Sequence, residues 1–236
     1  MRIDKLLAHS GFGSRTDVKK LLKEKAVKID GVLIKDAKIK VDLNNQLVTV
    51  YDEEVRYREF VYLMMNKPQD CLSATKDKSA RTVVDLLSEE YQSFDVVPAG
   101  RLDRDTEGLM LLTNDGALVH GIISPKKDVY KRYVAEISGT LTAEGIAQLE
   151  SGIQILDGTG EPFMTKPAKV KDLGGGFVSI QITEGKFHQV KRMFASIGCK
   201  VVYLKREAIG ALELDPSLGL GEYRELTDIE LGIFKN

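Results

Sequence analysis

Residues 98–116 read PAGRLDRDTEGLMLLTNDG and join a short charged turn to an apolar run. The run 109–112 is too short for a helix and leads into Thr-Asn-Asp-Gly, so it predicts a buried strand followed by a turn. Gly100 and Gly108 bracket five charged side chains. A loop fixed by a buried strand is a common place for catalytic groups, although the same charges could simply pair with one another on a solvated turn.

The charge of the chain is divided unevenly along its length. The 236 residues carry a formal net charge of −1, but residues 1–40 hold eleven Lys or Arg against five Asp or Glu, a net of +6, and the remainder has a net of −7. A nucleic-acid partner needs positive charge only where its phosphates lie. The distribution is therefore compatible with RNA binding through the N-terminal part.

Composition excludes several other classes of protein. No apolar run reaches the length of a membrane span, and the N-terminus lacks the apolar core of a signal peptide, so we expect a cytoplasmic protein without a membrane partner. Cys71 and Cys199 lie far apart without a CxxC motif, which argues against a disulfide scaffold and against a metal site. Both thiols are expected in or near a core.

The first forty residues predict a small helical module with a hairpin. Ile3, Leu6 and Leu7 indicate a short helix that ends at Ser10-Gly11, and Ser14 with Asp17 forms a capping-box-like start for a second helix. A tight turn is predicted at Asp30-Gly31. The second helix carries a row of cations suited to a phosphate backbone, although the row could also be a solvated face. These candidate RNA-binding residues are Ser14, Arg15, Lys19, Lys20 and Lys23.

Three later segments organise the rest of the chain. A buried strand is predicted over 61–65, and the aromatic and β-branched content of 130–137 predicts another strand. In the segment 184–198, EGKFHQVKRMFASIG, Val190, Met193, Phe194 and Ile197 form one apolar face of a predicted helix. Its opposite face carries His188, Lys191 and Arg192, which could also be an ordinary exposed basic edge.

The loop and strand that begin at Gly100 resemble the signature of the pseudouridine synthases that act on ribosomal RNA. The matching positions are Gly100, Arg101, Leu102, Asp103, Thr106, Gly108, Leu109, Leu111, Leu112, Thr113, Asn114, Asp115 and Gly116. Asn66-Lys67-Pro68 resembles the end of the first strand of the same family. The resemblance implies that Asp103 is the essential catalytic carboxylate and that Arg101 contacts the RNA.

The N-terminal module resembles the S4-like RNA-binding domain in its residues Ser14, Arg15, Val27 and Gly31. Together the two resemblances imply an α+β protein. A small S4-like module with its connector would occupy residues 1–58. A pseudouridine synthase domain, built on a mixed, largely antiparallel sheet with flanking helices, would occupy residues 59–236.

The resemblance also implies further site residues. Tyr133, in the pattern Lys-x-Tyr, would supply the aromatic ring that stacks on the target uracil, with Tyr130 as the competing choice. Lys191 would pair with Asp103 and favour its ionised form. Gln189 and Arg192, beside it on the same helix, are predicted to bind the substrate.

The implied reaction detaches a uracil from its ribose and rejoins it through carbon. It needs no redox partner, so no cofactor and no metal are expected. The segment HQVKRMFASIG most resembles the RsuA-type small-subunit enzymes, which predicts 16S ribosomal RNA or a preribosomal small-subunit particle as the partner of a monomeric isomerase.

Other functions remain open at this point. The same reaction on a large-subunit or transfer-RNA uridine is one, and a noncatalytic RNA-binding role in ribosome assembly is another. A glycoside or nucleoside hydrolase using Asp103 and Asp105 is disfavoured, because Arg101 and Arg104 would keep both carboxyl groups ionised.

Overall fold

A computed structural model describes residues 1–43, 45–55, 57–124, 128–156 and 158–234. The chain forms two compact units. The first comprises Met1–Val61 together with Leu87–Val96, and the second comprises Tyr62–Leu86 together with Val97–Asn236. The domain boundaries predicted from the sequence, 1–58 and 59–236, remain a prediction. Within the described ranges, no helix has both the length and the apolar character needed to cross a membrane.

The first unit packs helices against a small antiparallel sheet of order β2-β1-β3-β4. Its core is formed by apolar side chains of both layers, such as Leu6, Val18 and Val27. Its elements are α1 (Ile3–His9), α2 (Arg15–Lys23), β1 (Val27–Ile29), β2 (Val32–Leu33), β3 (Val48–Val50), β4 (Glu53–Glu54) and α3 (Glu89–Gln92).

The local predictions for this unit are confirmed. Helix α2 begins with a capping box in which the Ser14 hydroxyl accepts from the Asp17 amide and the Asp17 carboxylate accepts from the Ser14 amide. Hydrogen bonds from Ser14 and Lys20 lower the pKa of Asp17 to about 2. At the β1–β2 turn, Asp30 and Gly31 both have positive φ, 51° and 79°, as a tight hairpin requires.

The second unit is built on a nine-stranded sheet whose main path has the order β11-β12-β8-β13-β7-β5-β15, with β14 on β13 and β6 on β7. Its strands are β5 (Tyr62–Lys67), β6 (Val97–Pro98), β7 (Glu107–Thr113), β8 (Lys131–Ser138), β11 (Lys169–Gly174), β12 (Phe177–Ile182), β13 (Lys200–Ile209), β14 (Leu212–Glu213) and β15 (Tyr223–Glu225). A separate hairpin pairs β9 (Gln154–Leu156) with β10 (Pro162–Met164). The helices are α4 (Gly116–Ile123), α5 (Ala143–Ser151), α6 (Gln189–Ser196) and α7 (Asp228–Gly232), with a 3-10 turn at Val84–Leu86.

Strand β7 lies in the interior of this sheet. Side chains on both of its faces are buried, Leu109 and Leu111 on one and Met110 and Leu112 on the other, which explains the unbroken apolar run. Strand β7 pairs in parallel with β13, whereas the other pairings between these strands are antiparallel. The predicted α+β fold with a mixed, largely antiparallel sheet is confirmed.

One predicted helix begins later than the periodicity suggested. Helix α6 starts at Gln189, and His188 before it adopts a left-handed conformation with φ 53°. His188 is therefore not on the helix face that it was predicted to share with Lys191. The segment before it is held instead by side-chain hydrogen bonds, which periodicity does not encode.

The end of the second unit is held by a network of charges around Arg224. Its guanidinium donates to Asp215 at 2.6 Å and to both carboxylate oxygens of Glu230 at 2.8 and 2.7 Å. The hydrogen bonds from Arg224 lower the pKa of Glu230 to about 2, although burial acts in the opposite direction. This carboxylate therefore stabilises the fold only while it is ionised.

The variant Glu230→Gln should unfold more easily than the parent at neutral pH, by about 1–3 kcal/mol. The folded pKa lies below the unfolded one, so the difference is fully present above about pH 4.5 and should disappear as the pH falls towards 2. Urea denaturation across this pH range measures it. The exposed Glu144→Gln is the control, and a difference that persists at pH 2 would contradict the ionic explanation.

Candidate active site

The loop that carries Asp103 runs from β6 to β7 and is fixed by glycines at both ends. Gly100 and Gly108 have φ values of 97° and 101°, which side chains rarely adopt. At Gly108 the neighbouring strand approaches so closely that an added Cβ would lie 2.2 Å from the carbonyl oxygen of Arg206. These two positions therefore determine where the charged loop leaves the sheet and where it returns.

The buried ammonium group of Lys67 fixes the backbone of this loop through hydrogen bonds. Its Nζ lies 3.1 Å from the carbonyl oxygen of Asp103, 3.3 Å from that of Arg104, 2.9 Å from that of Thr106 and 3.0 Å from that of Pro68, so its three N–H groups are shared among four acceptors. Burial lowers the pKa of Lys67, and the nearby carboxylates act against this shift. The backbone of the loop is thus attached to the end of β5.

A second clamp acts one residue before Asp103. The hydroxyl of Ser73 donates to the carbonyl of Leu102 at 2.8 Å and accepts from its amide at 3.0 Å. The backbone on both sides of the Asp103 carboxylate is therefore fixed by hydrogen bonds, which leaves its side chain with a defined origin and direction.

The carboxylate of Asp103 lies beside two potential cations from the start of α6. Lys191 Nζ is 3.2 Å from Asp103 Oδ2, and His188 Nε2 is 3.6 Å from Asp103 Oδ1. Lys191 also bonds Asp105 Oδ1 at 2.5 Å, so one ammonium group bridges two carboxylates. Burial raises the pKa of Asp105, but the hydrogen bond and charge of Lys191 outweigh it and the net shift is downward.

Asp103 lines a cleft that is formed by the loop, the sheet and the start of α6. Tyr133 from β8 is 8% exposed there, and Arg101 lies at the exposed surface of the same cleft. Apolar side chains complete the walls. The lining comprises Arg101, Leu102, Asp103, Thr106, Tyr133, Ile182, Gly185, Lys186, His188, Gln189, Val190 and Leu204.

The arrangement combines one oriented carboxylate, a bridging ammonium group and an aromatic side chain. Such a site can perform nucleophilic or acid–base chemistry on a flat, uncharged ring. Within the residues that the structure describes, no group of three or more His, Cys, Asp or Glu side chains is placed to hold a metal ion.

Comparison with known proteins identifies the family of this chain. Residues 61–196 match the RNA pseudouridylate synthase family, and residues 1–47 match the S4 domain. The chain belongs to the RNA pseudouridylate synthases. It is therefore an isomerase acting on RNA, with an N-terminal S4 domain, and the matched range contains Asp103, Tyr133 and Lys191.

Individual relatives are similar over nearly the whole chain. The "uncharacterized RNA pseudouridine synthase YtzG" of Bacillus subtilis is 54% identical over 98% of this chain and 97% of its own length. A "ribosomal small subunit pseudouridine synthase A" of Haemophilus influenzae is 39% identical, and a "ribosomal large subunit pseudouridine synthase B" of Bacillus subtilis is 38% identical. Both matches cover 98% of this chain, and they cover 98% and 93% of the relatives' own lengths respectively. A crystal structure of a pseudouridylate synthase superposes with a TM-score of 0.70, at 37% identity and 99% coverage of both chains.

Two of the predicted substrate-binding residues, Gln189 and Arg192, border different cavities of this synthase. Gln189 lines the Asp103 cleft but is 3% exposed, and its amide group is used locally, accepting from Lys186 N at 2.9 Å and donating to Glu184 at 2.8 Å. Arg192 does not line that cleft. Its guanidinium donates to the carbonyl of Leu156 at 2.5 Å and borders a second, open cavity of about 840 Å³.

The predicted RNA-binding residues of the S4 domain lie at the start of α2 and along it. Arg15, Lys19, Lys20 and Lys23 are all exposed. Lys20 bonds Asp17 at 2.9 Å, and the Ser14 hydroxyl is occupied as the helix cap. Lys19 and Lys23 follow each other at a spacing of four residues, so they share one face of the helix.

Sequence reasoning missed the part played by Lys67 and the proximity of His188 to Asp103. The motif Asn66-Lys67-Pro68 was visible as a strand end, but a lysine that ends a strand is normally read as solvent-exposed. The signal that could have found it is its position: five residues of the strand, 62–66, are half-buried or buried, and Lys67 directly continues them.

Lys67→Met should loosen the loop that carries Asp103 while leaving every side chain of the cleft present. Loss of the charge-assisted hydrogen bonds leaves several carbonyl groups unsatisfied, so we expect a loss of about 3 kcal/mol in the free energy of unfolding. Turnover should fall even where the variant is fully folded, because Asp103 loses its fixed backbone. Denaturation measures the stability, and single-turnover kinetics measure the rate constant of the chemical step, with the exposed Lys200→Met as control. An unchanged single-turnover rate constant would contradict the positioning role.

Proposed function

We propose that this protein isomerises a specific uridine of 16S ribosomal RNA to pseudouridine, with Asp103 as the nucleophile. The observation that carries the proposal is the Asp103 carboxylate, fixed through its backbone and paired with Lys191 at 3.2 Å at the mouth of a cleft that contains an aromatic ring. Membership of the family supplies the reaction.

The reaction moves a base without any net change in composition. The bond between the anomeric carbon and uracil N1 breaks, a new bond forms from that carbon to uracil C5, and the proton lost from C5 is balanced by one gained at N1. Asp103 attacks the anomeric carbon or the uracil ring, or assists formation of a glycal; the three routes share the same carboxylate. Lys191 orients the Asp103 carboxylate by pairing with it. The reaction needs no redox cofactor.

The target uridine must leave its stack before this carboxylate can reach it. Unstacking costs a few kcal/mol, which the cleft has to offset by contacts with the extruded base. Tyr133 is the aromatic side chain that lines the cleft and would stack on the uracil, whereas Tyr130 lies partly exposed beneath the ammonium group of Lys169. Arg101, exposed at the mouth, would contact the RNA near the vacated position.

The choice of the small subunit is supported by the names of the relatives. Several bacterial small-subunit synthases are 37–39% identical over 98% of this chain. A large-subunit synthase of Bacillus subtilis reaches 38%, so a 23S uridine is the second candidate. The S4 domain would anchor flanking RNA through its phosphates, and the protein would act in the cytoplasm as a monomer.

Asp103→Asn should abolish pseudouridine formation, by about 10⁴-fold or more, while the protein stays folded. Asp105→Asn should retain activity, because the same lysine then pairs with Asp103 alone. Pseudouridine mapping of ribosomal RNA from cells lacking the protein, complemented with each variant, measures this.

One 16S site that is lost without the protein and returns with wild type but not with Asp103→Asn would support the whole proposal. A 23S site would move the substrate to the large subunit. Wild-type activity in Asp103→Asn would refute the nucleophile, and free uracil in the product would indicate a hydrolase.

The S4 domain should contribute through phosphate contacts that weaken with salt. Lys19→Gln combined with Lys23→Gln removes two exposed cations, so the slope of log Kd against log salt concentration should fall by about 1.5. Titration of an unmodified 16S transcript at several salt concentrations measures the slope. Lys38→Gln with Lys40→Gln removes the same charge elsewhere in the unit, and an equal effect of both pairs would refute a specific role for α2.

A further inference from the structure

Three flat side-chain groups lie against one another beside the catalytic carboxylate. The imidazole of His188, 3.6 Å from Asp103, is stacked on the ring of Phe187 with centroids 3.8 Å apart and planes inclined by 22°. The guanidinium of Arg192 lies over the same phenyl ring, 5.3 Å from its centroid. We call His188, Phe187 and Arg192 the stacking column.

The phenyl ring of Phe187 is exposed although it carries no polar atom. The residue is 55% exposed, and Gly158 lies close to it: a Cβ added to that glycine would be 3.3 Å from the Cβ of Phe187. A single exposed apolar side chain needs no explanation by itself. Here the ring is stacked on His188, and His188 lies next to the catalytic group.

The surroundings of the ring are positively charged. Arg192 uses one of its N–H donors for the carbonyl of Leu156, so the guanidinium is anchored while it faces the phenyl ring. Lys186, the residue before Phe187 in the chain, lies 4.7 Å from the centre of the Phe163 ring. The nearby Glu184 carboxylate is occupied by Gln189 and by the amide of Lys166. An aromatic surface between cations is the combination that binds single-stranded nucleic acid.

We propose that the stacking column is a subsite for a second RNA base, a neighbour of the uridine that Asp103 isomerises. The proposal rests on the proposed function and adds a binding site to it. The 3.8 Å separation of the His188 and Phe187 rings is close to the rise of roughly 3.4 Å between successive bases of a nucleic-acid strand. The column therefore offers the spacing of a base stack at the edge of the cleft.

The physical need for such a site follows from base extrusion. When the target uridine leaves its stack, the adjacent base loses a stacking partner, and this loss contributes to the cost of extrusion. The flanking base takes the place of the Arg192 guanidinium over the exposed phenyl ring of Phe187, so the ring replaces the lost partner and the displaced guanidinium adds a cation for the flanking backbone. The column also gives Arg192 a role in RNA binding away from the Asp103 cleft.

The first experiment asks whether a base reaches Phe187 at all. Full-length protein carrying Asp103→Asn is bound to unmodified 16S and 23S transcripts, irradiated with ultraviolet light and analysed by mass spectrometry. We expect a nucleotide crosslinked to the peptide that contains Phe187. If crosslinks form elsewhere on the protein but none on this peptide, the subsite is refuted, whether or not the wild-type protein makes pseudouridine.

The second experiment measures the stacking contribution. In the Asp103→Asn background, Phe187→Leu keeps an apolar side chain but removes the ring, and should weaken binding of the crosslinked RNA segment about 5- to 100-fold. Phe187→Tyr, which keeps the ring, should bind within about threefold of the parent. Phe177→Leu removes another partly exposed ring of the same unit and serves as the matched control.

An abasic substitution in the RNA then separates stacking from general destabilisation. Replacing the crosslinked nucleotide by an abasic one should weaken binding of the parent and remove the difference in affinity between the parent and the Phe187→Leu variant, whereas an abasic position elsewhere should leave that difference intact. A Phe187→Leu penalty that is equal for all these RNAs would refute the base contact. Failure of the proposed function would instead appear as wild-type protein that modifies no ribosomal uridine.

Discussion

A buried ammonium group bonded to backbone carbonyls is the interaction on which the candidate site depends. Lys67 is completely buried, and its hydrogen bonds reach the carbonyl groups of Asp103, Arg104 and Thr106. A buried charge is costly unless its hydrogen bonds are made, so the loop and the lysine stabilise each other or fail together. Backbone carbonyl groups take the place of water around the buried Lys67 ammonium group, and the same hydrogen bonds fix the backbone of the loop beside the cleft.

The sheet supplies the second constraint, because it fixes both ends of the loop independently of its charges. Strand β7 lies between β5 and β13, and the Arg206 guanidinium donates to the carbonyl of Leu109 at 2.8 Å. At Gly108 the two backbones leave no room for a side chain. In many turns glycine is needed only for its backbone conformation. At position 108 it is required in addition because the next strand approaches too closely for a side chain.

Much of the fold could be predicted from short-range patterns. The capping box at Ser14 and Asp17, the turn at Asp30-Gly31 and the buried run of β7 all depend on residues close in sequence, and all three are present. The parallel pairing of β7 with β13 could not be predicted in this way, because it joins segments about a hundred residues apart and depends on the packing of the whole sheet. The left-handed His188 likewise depends on hydrogen bonds of its own loop rather than on periodicity.

The candidate site, like the fold, could be predicted only in part from the sequence. The proximity of Asp103 and Lys191 followed from a resemblance in two separate motifs, but neither motif indicates that Lys191 also bonds Asp105, at the shorter distance of 2.5 Å. Arg192 was predicted to share one face of the helix with Lys191, whereas the structure places it at a second cavity. Successive residues of a helix point in different directions, so adjacency in sequence says little about a shared site. Lys67 was missed because its acceptors lie 36–39 residues further along the chain.

The local use of Gln189 has a consequence for the thermodynamics of RNA recognition. Its amide group and the Glu184 carboxylate close the loop 184–188 through hydrogen bonds that exist without any ligand. Fixing a backbone residue costs about 1–2 kcal/mol of conformational entropy, and in this loop that cost is met when the protein folds. Under the proposed mode of binding, RNA would meet a surface whose shape is already determined, and the affinity of its contacts with the loop would not be reduced by the ordering of the loop.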